Sequence, residues 1–156
     1  MKLAEALQER ADLNRRIESL RVRLNTNAIV QEGEKSPEDP RELLEELNRC
    51  TVILEELIKK INITNCFTIV DGTSITAMIA KKDMLTTKIS VYRDFLGCAS
   101  NVAQRAKRTE IKILSTVDVA SLQKEIDDMS RELRLVDNKI QAANWATDFP
   151  DTDEEI

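Results

Sequence analysis

Two glutamate pairs, Glu45-Glu46 and Glu55-Glu56, are the first residues in this 156-residue chain whose type and spacing suit chemistry. Paired carboxylates on helices can hold a di-iron centre, but such centres also take an imidazole from a Glu-x-x-His step. The chain has no histidine. That removes the commonest general base, most nucleophilic triads and the ordinary zinc hydrolase sites. A carboxylate-only Mg²⁺ or Mn²⁺ site, which needs few side-chain ligands, is left open. A solvated acidic helix face accounts for the same residues more simply, and no cofactor is implied.

Other candidate chemistry is equally thin. Gly33, Gly72 and Gly97 are isolated, so neither a Walker loop nor a dinucleotide fingerprint occurs. Asp71-Gly72-Thr73-Ser74 ahead of a helix could offer free N–H groups to an anion, yet it reads first as a turn followed by a cap. Cys50, Cys66 and Cys98 are odd in number, widely spaced and without CxxC, so they read as buried small thiols.

Charge is more informative. Asp148, Asp151, Asp153, Glu154 and Glu155 account for the whole net charge of −5, leaving residues 1–147 balanced. Residues 31–61 carry nine acids against five bases, whereas residues 81–112 carry eight bases against three acids. Opposite surfaces of this kind suit pairing within a bundle or between copies. The basic stretch RAKRTEIKILSTVDV (105–119) supplies Arg105, Lys107, Arg108 and Lys112 as candidate contacts for nucleic acid or another anion. It lacks helix-turn-helix or finger spacing. Three further residues are candidates for an interface. Arg10 and Lys82 are charges within apolar seams, suited to setting register or to lying along apolar surface with the head in water. Trp145 offers a large apolar body suited either to an interface or to anchoring its own helix end.

The elements that must position these residues are long helices. Steps of three and four link Leu3, Ala6, Arg10, Leu13, Ile17, Leu20 and Leu24, and predict a helix over about 2–26. Leu43, Leu47, Cys50, Leu54, Leu57 and Ile61 predict a second over about 40–65. Met78, Lys82, Leu85, Ile89, Tyr92, Leu96, Ala99 and Ala103 predict a third over about 75–104. Leu122, Ile126, Met129, Leu133, Val136, Ile140 and Ala143 predict a fourth over about 119–145. Asp39-Pro40, Ser74 and Asp118 mark three of the starts. Leu44, Ile53 and Ile58 widen the second stripe, so that helix must meet more than one neighbour.

The connections carry β-prone runs. CFTIVDGTS predicts a turn at Asp71-Gly72. If the helices alternate up and down, residues 28–31 and 110–113 share one end and are expected to pair as two short strands. Residues 147–156, acidic and aperiodic, are expected to form a disordered tail after a single helical domain over 1–146.

The stretches MKLAEALQERADLNRRIESL, VQEGEKSPEDP and EIKILSTVDVASLQKEIDDM, with QAANW near the end, resemble a small bacterial family labelled septicolysin. The resemblance covers nearly all of Met1 to Trp145. It implies no catalytic or ligand residues, and its label implies a membrane-active cytolysin.

The fold class expected is therefore mainly all-α: long antiparallel helices with heptad seams, as a bundle or coiled-coil assembly. The function expected is that of a self-associating structural or interaction protein, a homo-oligomer rather than an enzyme. A nucleic-acid or anion-binding module and a cytolysin-like protein are the alternatives. Met1-Lys2-Leu3-Ala4-Glu5 leads straight into an amphipathic pattern, and no apolar run approaches the roughly 20 residues of a transmembrane helix. A cytoplasmic location is expected.

Overall fold

Proline at the first helical position costs nothing, because its missing N–H would have had no partner there. At Pro40 it opens one of four long helices, and the Asp39 carboxylate accepts from Arg41 N at 2.8 Å. The computed structural model describes residues 1–102 and 111–150, and among these the helices are α1 (Leu3–Thr26), α2 (Pro40–Phe67), α3 (Ile75–Ser100) and α4 (Val119–Ala146). Ser74 Oγ accepts from Ala77 N at 3.2 Å to start α3, and Asp118 accepts from Ala120 N and Ser121 N to start α4. The chain is mainly all-α, as the periodicity predicts.

Between α2 and α3 the chain makes a tight hairpin. β1 (Ile69–Val70) pairs antiparallel with β2 (Thr73–Ser74) around Asp71 and Gly72, whose φ angles of 51° and 78° are both positive. Two adjacent positive φ values define the turn whose twist matches a hairpin, which is why Asp-Gly stands there. The turn brings α3 back antiparallel to α2 at the end of the molecule that also holds the start of α1 and the finish of α4.

That end is the base of the protein. Leu3 and Ala6 of α1, Leu57 and Ile61 of α2, Ile75 and Met78 of α3, and Val136, Ile140 and Ala143 of α4 form one buried cluster. Each large aliphatic side chain buried in this way contributes about 1.5–3 kcal/mol relative to exposure. Away from the base the helices continue as two separate antiparallel pairs, α1 with α2 and α3 with α4. The first arm has its own small cluster of Leu20, Leu43 and Cys50. In the second, Ile89 and Ile126 are buried, while Leu85, Tyr92, Met129 and Leu133 are half-covered.

Three sequence expectations change here. Residues 28–31 and 111–113 form no strand. Their pairing required the far ends of the two hairpins to lie side by side, whereas the hairpins meet at the base. Residue 110 lies outside the described residues. The acidic segment expected to run free from Thr147 is instead tied down as far as Phe149, whose ring is 3% exposed within the base cluster. Leu3 N donates to Thr147 O at 3.0 Å, Phe149 N donates to Met1 O at 2.9 Å, and Lys2 bridges to Asp148. Finally, Cys50 is buried but Cys66 and Cys98 are exposed, because those two fall off the apolar seams.

Candidate interaction surface

The seam charges are placed inside the hairpins or beside them. Lys82 Nζ reaches Asp137 Oδ1 on α4 at 2.6 Å, so its charge is matched across the α3–α4 seam. Neighbouring Lys81 pairs with Glu132 at 2.6 Å. Both pairs cross from α3 to α4. Arg10 is half-buried on α1. Trp145 stands 60% exposed on α4, and Phe149, not the tryptophan, supplies the aromatic ring that seals the base. Lys112 is exposed. Arg105, Lys107 and Arg108 lie outside the described residues.

The α1–α2 arm is fastened by polar groups at its far end. Arg23 Nε donates to both oxygens of Glu38 at 3.1 Å, and Asn27 Oδ1 accepts from Ser36 Oγ at 2.7 Å and from Glu38 N at 3.2 Å. Asn27 is buried, and these bonds satisfy it where the chain turns out of α1. The hydrogen bond from Arg23 holds the Glu38 carboxyl below the usual glutamate range, against the opposing effect of desolvation. Nearby, Arg16 pairs with Glu46 at 2.7 Å. The result is an open acidic cleft of about 590 Å³ lined by Arg23, Glu38, Glu42, Glu45, Glu46 and Arg49. Among the described residues no three His, Cys, Asp or Glu side chains come together so as to hold a metal ion. The cleft is a charged groove in which Arg23 is engaged by Glu38.

A different kind of surface runs along α3. Ala77, Lys81, Met84, Lys88, Val91, Phe95 and Cys98 follow one another in steps of four and three, and all are exposed. This is a second heptad stripe, flanking the seam that meets α4, and its Lys81 is the residue that reaches Glu132. Met84 is 65% exposed and Val91 59%. The helix is thus apolar on two faces, the pattern of a helix with neighbours on both sides. Reading each helix for its strongest seam alone passes over this stripe; testing every phase of the heptad reveals it. On α2, Leu44, Ile53 and Ile58, the residues that widen its stripe, are likewise exposed.

The surface area agrees. A compact monomer of 17.7 kDa exposes about 7,900 Å², and this chain exposes 11633 Å².

No helix among the described residues is long and apolar enough to cross a membrane. No curated protein matches the chain. The crystal structure of a functionally unknown conserved protein from Corynebacterium diphtheriae is 34% identical, with a TM-score of 0.90 over 96% of this chain and 99% of that one. Neither that protein nor the matching family carries the septicolysin label, and the resemblance drawn from the N-terminal and α4 segments is corrected accordingly. Such segments are largely amphipathic helix, whose heptads look alike across unrelated chains. Residues 10–149 match a family of unknown function, DUF6847, and the chain belongs to that family.

Proposed function

We propose that this protein is a non-catalytic assembly protein that self-associates through its long helices. The observation that carries the reading is the two-armed shape, with apolar helix faces that the chain itself leaves uncovered. A two-helix arm can cover only one side of each helix, so Leu44 and Ile53 remain in water, and nearer the base Ile58 and Trp145 are exposed as well. Exposed large apolar side chains at several positions on the helices support an interaction role. The absence of histidine from the sequence supports a role outside ordinary acid–base catalysis.

The cytoplasm is the compartment that suits this role. Cys66 and Cys98 are exposed free thiols, which persist in a reducing environment and oxidise outside it. Size-exclusion chromatography with light scattering tests self-association directly. A mass of at least twice 17.7 kDa at micromolar concentration is expected. A particle that stays monomeric up to the millimolar range refutes the reading.

A further inference from the structure

We infer that residues 147–149 form a latch between the finish of α4 and the start of α1, and that the latch and the first turn of α1 open together while the base stays folded. The device lies within one chain and is independent of self-association.

The start of α1 is poorly made by its own sequence. A residue at the cap of a helix normally supplies a side-chain oxygen to a first-turn N–H. Lys2 stands at that position, and its ammonium has only donors to offer. Its positive charge is also set at the helix end that favours an anion. Glu5 helps by accepting from Lys2 N at 2.6 Å, but the Leu3 N–H is left to a distant partner.

That partner comes from the other end of α4. Thr147 O accepts from Leu3 N at 3.0 Å. Lys2 Nζ turns toward α4, where it donates to Ala146 O at 3.3 Å and to Asp148 Oδ1 at 2.6 Å. The dipole that disfavours a cation at the start of α1 favours one at the last carbonyls of α4. Each helix end is therefore completed by the other, through groups that neither could supply alone.

The grip of this segment is slight. Of residues 147–150, Phe149 alone is buried, while the side chains of Asp148 and Lys2 are 89% and 41% exposed. An ion pair so exposed contributes little. The attachment rests on one aromatic ring and on two backbone hydrogen bonds, the second from Phe149 N to Met1 O at 2.9 Å. Leu57 and Ile61, by contrast, stand within α2 and are 1% exposed. Terminal segments with few buried groups open at a fraction of the free energy of global unfolding. When Thr147 leaves, Leu3 N loses its acceptor, and when Phe149 leaves, the cluster that buries Leu3 loses a member. Opening thus takes the first turn of α1 with it and uncovers apolar lining of the base around Leu3 and Ala6.

Native-state hydrogen exchange of the full chain, followed amide by amide in rising sub-denaturing urea, tests this. The Leu3 and Phe149 amides donate the two crossing bonds. They are expected to share one opening, with a protection factor of about 10²–10³ and almost no urea dependence. The Leu57 and Ile61 amides are expected to be protected at least about tenfold more and to show a steep urea slope. In Phe149→Ala the Leu3 amide is expected to lose protection by about a hundredfold, with the helical circular dichroism retained. Asp148→Lys leaves the core untouched and is expected to accelerate Leu3 and Phe149 together by about threefold. Leu3 and Phe149 amides that match Leu57 in rate and urea slope overturn the latch, because the segment then belongs to the cooperative base. A Leu3 amide that keeps its protection in F149A, or stays unchanged in D148K while Phe149 accelerates, overturns the coupling of the two helix ends.

Discussion

The base and the arms are built from the same kind of helix and end in different states. At the base, four helices and the returning C-terminal segment enclose Leu3, Leu57, Ile61 and Ile75, which are almost wholly removed from water. In the arms, Leu20, Ile89 and Ile126 are buried as well, but seam residues beside them such as Leu47 and Leu133 are only half-covered. The difference is the number of neighbours. One partner helix covers one side of a seam, and apolar burial scales with area removed from water. The base is therefore the more fully packed region, and the arms keep more apolar surface in water.

The two arms also differ from one another. The α1–α2 arm closes its far end with the Arg23–Glu38 pair and the satisfied Asn27, so its tip is held by polar geometry. The α3–α4 arm is held nearer the base by Lys82–Asp137 and Lys81–Glu132. Its apolar investment lies on the outer side of α3.

The contrast between base and arms can be broken by mutation, and the largest effect belongs to the base. Leu57→Ala is expected to cost about 3–5 kcal/mol in urea unfolding, because a cavity among four helices cannot collapse. Leu20→Ala in the first arm is expected to cost less, about 2–3 kcal/mol, since a two-helix contact can close partly around the gap. Native-state hydrogen exchange should place the loss of protection in L20A within α1 and α2 away from the base. Equal costs for the two variants would mean that arm and base are equally packed.

Asn65 sharpens the same comparison from the opposite direction. It is buried near the end of α2, and its Oδ1 has no hydrogen-bond partner among the described residues. Asn65→Leu, close in size and apolar, removes the desolvation cost of that oxygen. A gain of about 1 kcal/mol in unfolding free energy is expected. A loss of stability would show that the amide has a partner the side-chain geometry does not reveal.

The smallest effect concerns the tip of the first arm. Arg23 lowers the folded-state pKa of Glu38, so the pair adds stability that is fully present above the ordinary glutamate value near 4.5. That contribution is lost as pH falls through the depressed folded value. Glu38→Gln removes it at every pH. The melting temperatures of wild type and E38Q should differ slightly near neutrality and converge in acid. High salt should shrink the gap, because both side chains are substantially solvated. A gap that widens on acidification would contradict the pairing.

Much of this architecture was legible before any coordinates. The caps at Asp39, Ser74 and Asp118, the turn at Asp71-Gly72 and the four seams follow from local rules that act over a few residues. The end of α3 was less legible: apolar spacing extends to Ala103, while the described helix stops at Ser100 with Asn101 as its cap. The outer stripe of α3 was present in the sequence but masked, since a helix apolar on two sides has no single dominant face.

What the sequence by itself determined is which residues face inward on each helix and where each helix begins. Tertiary structure alone decided how many neighbours those faces meet, because a heptad records the direction of an apolar face and not the number of helices set against it. It also decided that Phe149 seals the base. The contact of Lys2 with Asp148 joins residues separated by nearly the whole chain, and no local periodicity encodes a meeting at that distance.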